Sequence, residues 1–235
     1  MIHTLAETGS TNADLAARLR ASESVAEGDW LVADRQTAGK GRQGREWLDG
    51  AGNFMGSTVV HLRFGDPEPA SLALLVGLAV HEAVTPLLND GLSATLKWPN
   101  DLLIGRAKLA GILLERVNDS VIIGVGVNLA QAPEVPDRET VALQGVDRDA
   151  FAADLAREFA AELERWRNFG LAPIVQRWLA AAHPLGTPLT VGEPGEEGLI
   201  GAFAGLAEDG ALLLRLADGR TRAIHAGEVR LTPDS

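Results

Sequence analysis

The sequence predicts an α+β protein: a larger domain of sheet and helices over residues 1–184, then a small C-terminal β-barrel over 185–235. Three observations carry this. Asp149–Asn168 repeats its large apolar residues, Phe151, Leu155, Phe159, Leu163 and Trp166, at helical spacing. Ala107–Val117 and Val121–Leu129 are apolar runs separated by Asn118-Asp119-Ser120, the pattern of an antiparallel hairpin. Beyond Pro184 no helical pattern remains, and short apolar runs alternate with turn residues.

The elements follow in order. Ser10-Thr11-Asn12 stand before an Ala/Leu/Arg segment with Asp14 in its first turn, which predicts a helix capped by a hydroxyl. Trp30–Ala33 is a short strand. Residues 35–53 hold five glycines and predict a loop. Phe54–Phe64 is a strand, favoured by Thr58, Val59 and Val60. Pro69–Leu88 predicts a helix with proline in its first turn. Ala94–Lys97 is a strand ahead of the central hairpin. Gly170 stops the long helix, and Ile174–Ala182 predicts a short one. In the C-terminal part, Leu189–Val191, Gly198–Leu206, Ala211–Leu216 and Arg220–His225 read as strands, with hairpin turns at Asp209-Gly210 and Asp218-Gly219. No internal repeat is visible.

Charge and composition exclude several functions. The 235 residues carry 21 Lys+Arg against 32 Asp+Glu, a net charge of −11. That balance argues against sequence-independent binding of DNA or RNA. A hydrophobic fraction of 46% supports a packed core and not a disordered chain. There is no cysteine, so disulfides, thiolate catalysis and Cys-ligated zinc are excluded. His3, His61, His81, His183 and His225 are too widely spaced for a local His-x-x-x-His zinc site. The first residues lack a basic-then-apolar signal pattern. The longest apolar stretch, around Ala70–Val80, falls short of the ~20 residues that span a bilayer. A cytoplasmic protein without a membrane partner is the expectation by elimination.

Four segments carry chemistry. Gly39-Lys40-Gly41-Arg42-Gln43-Gly44 matches G-x-G-x-x-G, but a dinucleotide fingerprint must open a helix. Here Arg45-Glu46-Trp47 runs into Gly50 and Gly52, which do not sustain one. The protein-kinase motifs are missing as well. What remains is a glycine loop with the cations Arg35, Lys40, Arg42 and Arg45, suited to wrapping an anion; a solvated surface loop is the plainer alternative. Lys97-Trp98-Pro99-Asn100-Asp101 gathers a cation, an amide and a carboxylate, or is an ordinary strand end with an Asx turn. Lys108 opens an apolar strand, where its ammonium either enters a pocket or is solvated. Gly124-Val125-Gly126-Val127-Asn128 places glycines inside a strand, a sign of close approach by a ligand or another backbone.

These four segments, in this order and behind Gly9-Ser10-Thr11-Asn12, resemble the biotin protein ligases. The resemblance runs from residue 9 to 129, and the tail from about 185 looks like that family's small SH3-like barrel. It implies a class II synthetase-like catalytic domain with a mixed sheet. The implied reaction has two steps. Biotin attacks MgATP to give biotinyl-5′-AMP and pyrophosphate; a lysine of a biotin carboxyl carrier protein then takes the biotin and releases AMP. By this resemblance Ser10, Thr11, Asn12 and Gln36 hydrogen-bond biotin. Lys40, Gly41 and Arg42 line its tail and the acyl phosphate, and Lys108 binds its carboxylate. Arg42, Arg45, Trp47, Lys97, Asn100, Asp101 and Asn128 serve the nucleotide, with Asp101 as the metal ligand. Lys108, Arg42 and Asp101 form the implied catalytic set, with ATP and Mg²⁺ as the nucleotide and its ion.

The residue chemistry agrees with that implication. Adenylation needs positioning and electrostatic stabilisation but no enzyme nucleophile, and no Ser-His-Asp pattern can be assembled here. A glycine loop also suits a lid that shields a reactive anhydride from water. Two departures stand out. Lys40 occupies a position where the family commonly has arginine, which keeps charge but loses the bidentate fork. The motif Gly9-Ser10-Thr11-Asn12 comes so early that no DNA-binding domain, and no repressor function, is expected. A lipoate or octanoate ligase and a non-catalytic biotin sensor remain as alternatives, and a homodimer through an edge strand is left open.

Overall fold

The computed structural model describes residues 1–48, 50–136, 138–192 and 198–232. Seven strands form the main sheet: β1 (Ile2–Leu5), β2 (Trp30–Ala33), β3 (Phe54–His61), β4 (Ala94–Lys97), β5 (Asp101–Ile104), β6 (Ala107–Val117) and β7 (Ser120–Val127). Their spatial order is β1-β2-β3-β7-β6-β5-β4. β1 runs parallel to β2 and every other neighbouring pair is antiparallel, so the sheet is mixed. The predicted central hairpin is β6–β7, in register from Ala110↔Val127 to Val117↔Ser120.

Alternation along β6 and β7 gives the sheet two unlike faces. Ala110, Ile112, Ile123, Val125 and Val127 enter the main core together with helices α2 (Leu72–Val84) and α3 (Arg148–Phe169). The opposite face carries Gly111, Gly124 and Gly126, which are paired or adjacent across the hairpin. Helix α1 (Thr11–Arg20) covers only one end of that face, where Leu15 and Ala16 pack with Leu31, Val59 and Ile122. The glycine end stays open and becomes the floor of a cavity.

Each helix has a readable cause, with one correction. Asp147 caps α3 by accepting from the Ala150 N–H at 2.8 Å. The short helix α4 (Ala172–Ala180) is tied to α3 through buried Glu162, which pairs with Arg165 and Arg177. The predicted hydroxyl cap of α1 does not form. Ser10 makes no side-chain cap bond; the Thr11 N–H donates instead to Gln36 Oε1 at 2.7 Å. The helix around α2 matches the predicted Pro69–Leu88 to within one residue. With a 3₁₀ turn at each end it runs through Pro69–Leu87, long and apolar enough by length and composition to cross a membrane, yet most of it is buried inside the fold. It is apolar all round because it packs on the sheet, on α3 and on α4.

The C-terminal part is a five-stranded antiparallel sheet: β8 (Pro188–Gly192), β9 (Leu199–Leu206), β10 (Leu212–Arg215), β11 (Thr221–Ile224) and β12 (Glu228–Leu231), in the order β11-β10-β9-β8-β12. Leu189, Val191, Phe203, Leu212, Leu214 and Val229 belong to the same core cluster as the main sheet. The Trp98 indole N–H donates to the Gly210 carbonyl at 3.1 Å across the seam. Docking is thus apolar and continuous, and it brings β12 to the rim of the cavity.

Candidate active site

All fourteen site residues named from the sequence line one cavity of about 670 Å³: Ser10, Thr11, Asn12, Gln36, Lys40, Gly41, Arg42, Arg45, Trp47, Lys97, Asn100, Asp101, Lys108 and Asn128. Arg35, grouped with them as a loop cation, does not line it; it is well exposed and pairs with Glu7 at 3.3 Å.

One end is a neutral polar chain. Thr11 and Ser57 hydroxyls lie 2.6 Å apart, and the Ser57 hydroxyl donates to Asn12 Oδ1 at 2.6 Å. Asn12 Nδ2 donates to Glu115 at 2.6 Å. Ser57 sits opposite Gly124 in the β3–β7 ladder. A Cβ on Gly124 would fall 2.5 Å from Asn12 Oδ1, so the missing side chain is what admits Asn12. Gly126 plays the same part for Trp47: a Cβ there would lie 2.3 Å from the indole ring. The strand glycines do mark a close approach, but the visitors are side chains of this chain.

The other end is cationic. Asp101 is buried between two ammonium groups, Lys108 at 2.6 Å and Lys97 at 2.9 Å. Burial pushes the Asp101 carboxyl up, but the charges of Lys108 and Lys97 outweigh it and hold it well below the ordinary carboxylate range. Lys97 also donates to the Val229 carbonyl at 2.9 Å, and the Lys108 ammonium lies 5.5 Å from the Trp47 ring centre. Asn100 donates to the Ile112 carbonyl at 2.7 Å, while Asn128 donates to the Lys108 and Val141 carbonyls at 3.3 and 3.2 Å. Both amides fix backbone at the floor of the site.

The donor set does not make a resident Mg²⁺ site. Both Asp101 oxygens face ammonium groups, and no cluster of three or more His, Asp or Glu side chains able to hold an ion occurs among the described residues. The expectation that Asp101 is a metal ligand therefore finds no support in its surroundings.

The glycine loop is a built hairpin and not a solvated coil. The backbones of Lys40 and Glu46 pair in an antiparallel bridge, the Gly41 N–H donates to the Arg45 carbonyl at 2.7 Å, and the Trp47 N–H to the Gly39 carbonyl at 2.9 Å. A Cβ on Gly39 would meet the Trp47 carbonyl at 2.5 Å. Arg42 donates to Asn100 Oδ1 at 3.1 Å and to the Gly227 carbonyl at 3.3 Å, and Arg45 pairs with Glu228 at 2.7 Å. The loop is thus held across the cavity by β12.

Sequence reasoning missed Glu228, Arg138, Ser57 and Glu115. Glu228 joins Arg45 to Arg138 at 2.8 Å, and those two arginines hold its carboxyl below the ordinary value against the effect of burial. Ser57 carried no motif, and the partners of Glu228 lie 183 and 90 residues away. Glu115 offered a local signal, as a lone carboxylate inside an apolar strand.

The comparisons with known proteins fall on this geometry. Residues 6–128 match the biotin/lipoate A/B protein ligase family, and residues 186–231 match the biotin protein ligase C-terminal domain. The chain is 38% identical to the biotin–[acetyl-CoA-carboxylase] ligase of Paracoccus denitrificans over 96% of its own length and 98% of that protein. It is also 38% identical to the ligase of the same name from Mycobacterium tuberculosis, covering 96% of this chain and 86% of the other. Among solved structures, the biotin protein ligase of Aquifex aeolicus in complex with biotin and ATP superposes with a TM-score of 0.84 at 27% identity, covering 98% of this chain and 99% of that one. On sequence, fold and both domains, the chain belongs to the biotin protein ligase family.

Proposed function

We propose that this chain is an ATP-dependent ligase that joins biotin to a lysine of a biotin carboxyl carrier protein. The observation that carries the reading is the continuity of the cavity. A neutral chain of Thr11, Ser57 and Asn12 and a cationic group of Lys97, Lys108, Arg42 and Arg45 share one space, as a ligand with a polar ring at one end and a carboxylate at the other requires.

In the first step a biotin carboxylate oxygen attacks the α-phosphorus of ATP, and the bond to the pyrophosphate oxygen breaks. Charge grows on phosphorus-bound oxygens, and Lys108 and the arginine forks stabilise it. Lys108 is held for this by Asp101, and Arg42 by Asn100 and the Gly227 carbonyl. Mg²⁺ belongs to the nucleotide phosphates, which bind it with few protein ligands. In the second step the neutral amine of the acceptor lysine attacks the acyl carbon. An amide forms, AMP leaves with the electron pair, and the amine loses a proton. Trp47 and the glycine hairpin cover the reacting carbon and exclude water from the anhydride.

The test is incubation of the protein with biotin, MgATP and a carrier domain, followed by intact-mass measurement. One added biotin on the carrier, absent when its acceptor lysine is replaced, supports the reading. An unmodified carrier in the presence of active protein contradicts it.

A further inference from the structure

We propose that Glu115, which lies behind the cavity wall, is a positioning residue that sets the hydrogen-bond polarity of the ureido end of the site. The inference rests on the reading of the cavity as a biotin site.

Glu115 does not line the cavity, whereas Asn12 does and is only 4% exposed. The two side chains meet at 2.6 Å. A carboxylate accepts hydrogen bonds and donates none, so the Asn12 atom facing it must be the NH₂ group. That fixes Asn12 Oδ1 toward Ser57, 2.6 Å away, and obliges the Ser57 hydroxyl to donate there. Ser57 has then spent its proton. The Thr11 hydroxyl then faces two acceptors, Ser57 Oγ at 2.6 Å and Gln36 Oε1 at 3.1 Å, and shares its one proton between them. Gln36 Oε1 accepts the Thr11 backbone N–H at 2.7 Å, which fixes the Gln36 amide at the other end of the chain. One charge therefore decides the orientation of the Asn12 amide and the direction of the Ser57 proton, and leaves Thr11 to donate and not accept at Ser57 and Gln36.

Register explains how Glu115 reaches this place. Gly111, Leu113 and Glu115 alternate onto the cavity face of β6, and Leu113 lies opposite Gly124, whose missing side chain lodges Asn12. Without the carboxylate, the Asn12 amide can turn over and exchange its donor and acceptor, and the hydroxyl protons follow. A ureido ring presents one carbonyl acceptor and two N–H donors, so a site of mixed polarity leaves some of them unpaired.

The experiment measures steady-state adenylation for wild-type, Glu115→Met, Glu115→Gln, Asn12→Asp and Asn12→Asp/Glu115→Gln proteins, each first shown to melt cooperatively. Glu115→Met is expected to raise the KM for biotin about tenfold or more and to leave the KM for ATP within about twofold. Glu115→Gln offers an acceptor but can itself turn over with Asn12, and is expected to fall between wild-type and Glu115→Met. Asn12→Asp sets two carboxylates against each other and is expected to lose biotin binding. The double variant restores a donor–acceptor pair and is expected to recover it. An unchanged biotin KM in Glu115→Met, an equal rise in both KM values, or a double variant no better than Asn12→Asp overturns the inference. If wild-type protein forms no biotinyl-5′-AMP, the reading of the cavity itself fails, and the inference with it.

Discussion

Lys108 places its ammonium 2.6 Å from one oxygen of Asp101, in a setting where both side chains are largely shielded from solvent. Asp101 does not release the lysine to solvent, and Lys97 on the second oxygen keeps the cluster net positive. A carboxylate substrate entering the cavity meets a fixed cation whose desolvation has already occurred on folding. That arrangement favours charge stabilisation without reorganisation during the reaction.

Replacing Lys108 with alanine is expected to abolish biotin-dependent adenylation, a loss of at least about 10²-fold in kcat, as for other preorganised donors. Lys108→Arg keeps charge but not the point geometry, and partial activity is expected. Pyrophosphate exchange into ATP measures both. Turnover near wild-type in Lys108→Ala would falsify the assigned role.

Gly126→Ala adds a Cβ that would sit 2.3 Å from the Trp47 ring. The ring must leave the floor of the site. Biotin affinity is expected to fall about tenfold or more while the melting temperature changes little, because the displaced indole is only partly buried. Calorimetric titration with biotin checks the first expectation and thermal unfolding the second. Unaltered affinity would mean that Trp47 does not cover the ligand.

Glu228→Ala cuts the link between β12, Arg45 and Arg138. Both arginines lose the carboxylate that aims them, so the KM for ATP is expected to rise roughly tenfold with the biotin KM little changed. Equal effects on both substrates would indicate loss of the C-terminal docking instead of a loss of arginine placement.

His183 lies at the seam near Lys97 and Arg106. Burial, aided by those two cations, lowers its pKa from 6.5 to about 4. In the fold the ring therefore stays neutral while the unfolded chain takes up a proton below pH 6.5. Its contribution to stability is present above pH 6.5 and is lost as the pH falls from there to about 4. His183→Gln is expected to flatten the pH dependence of the melting temperature across that window. An identical slope in the variant would show that another group is responsible.

The long amphipathic helix and the β6–β7 hairpin were legible because their periodicity is local. β1, β5 and β12 were not. Ile2–Leu5 is exposed throughout and shows no alternation; Asp101–Ile104 hides behind Pro99; and Glu228–Leu231 holds a single fully buried apolar residue, Val229. The polar lining of the site was legible through ordered motifs. Its supports were not, because Glu228 and Arg45, like Glu115 and Asn12, are joined only by the fold. The helix cap failed for a related reason: the Thr11 N–H took its acceptor from Gln36, 25 residues on, in preference to a neighbouring hydroxyl.

The most direct measurement is exchange of labelled pyrophosphate into ATP by the purified protein, with biotin or lipoate as the acid. The expected result is exchange that requires biotin and Mg²⁺ and does not occur with lipoate. Exchange supported by lipoate and not by biotin, or no exchange with either acid, would contradict the central claim.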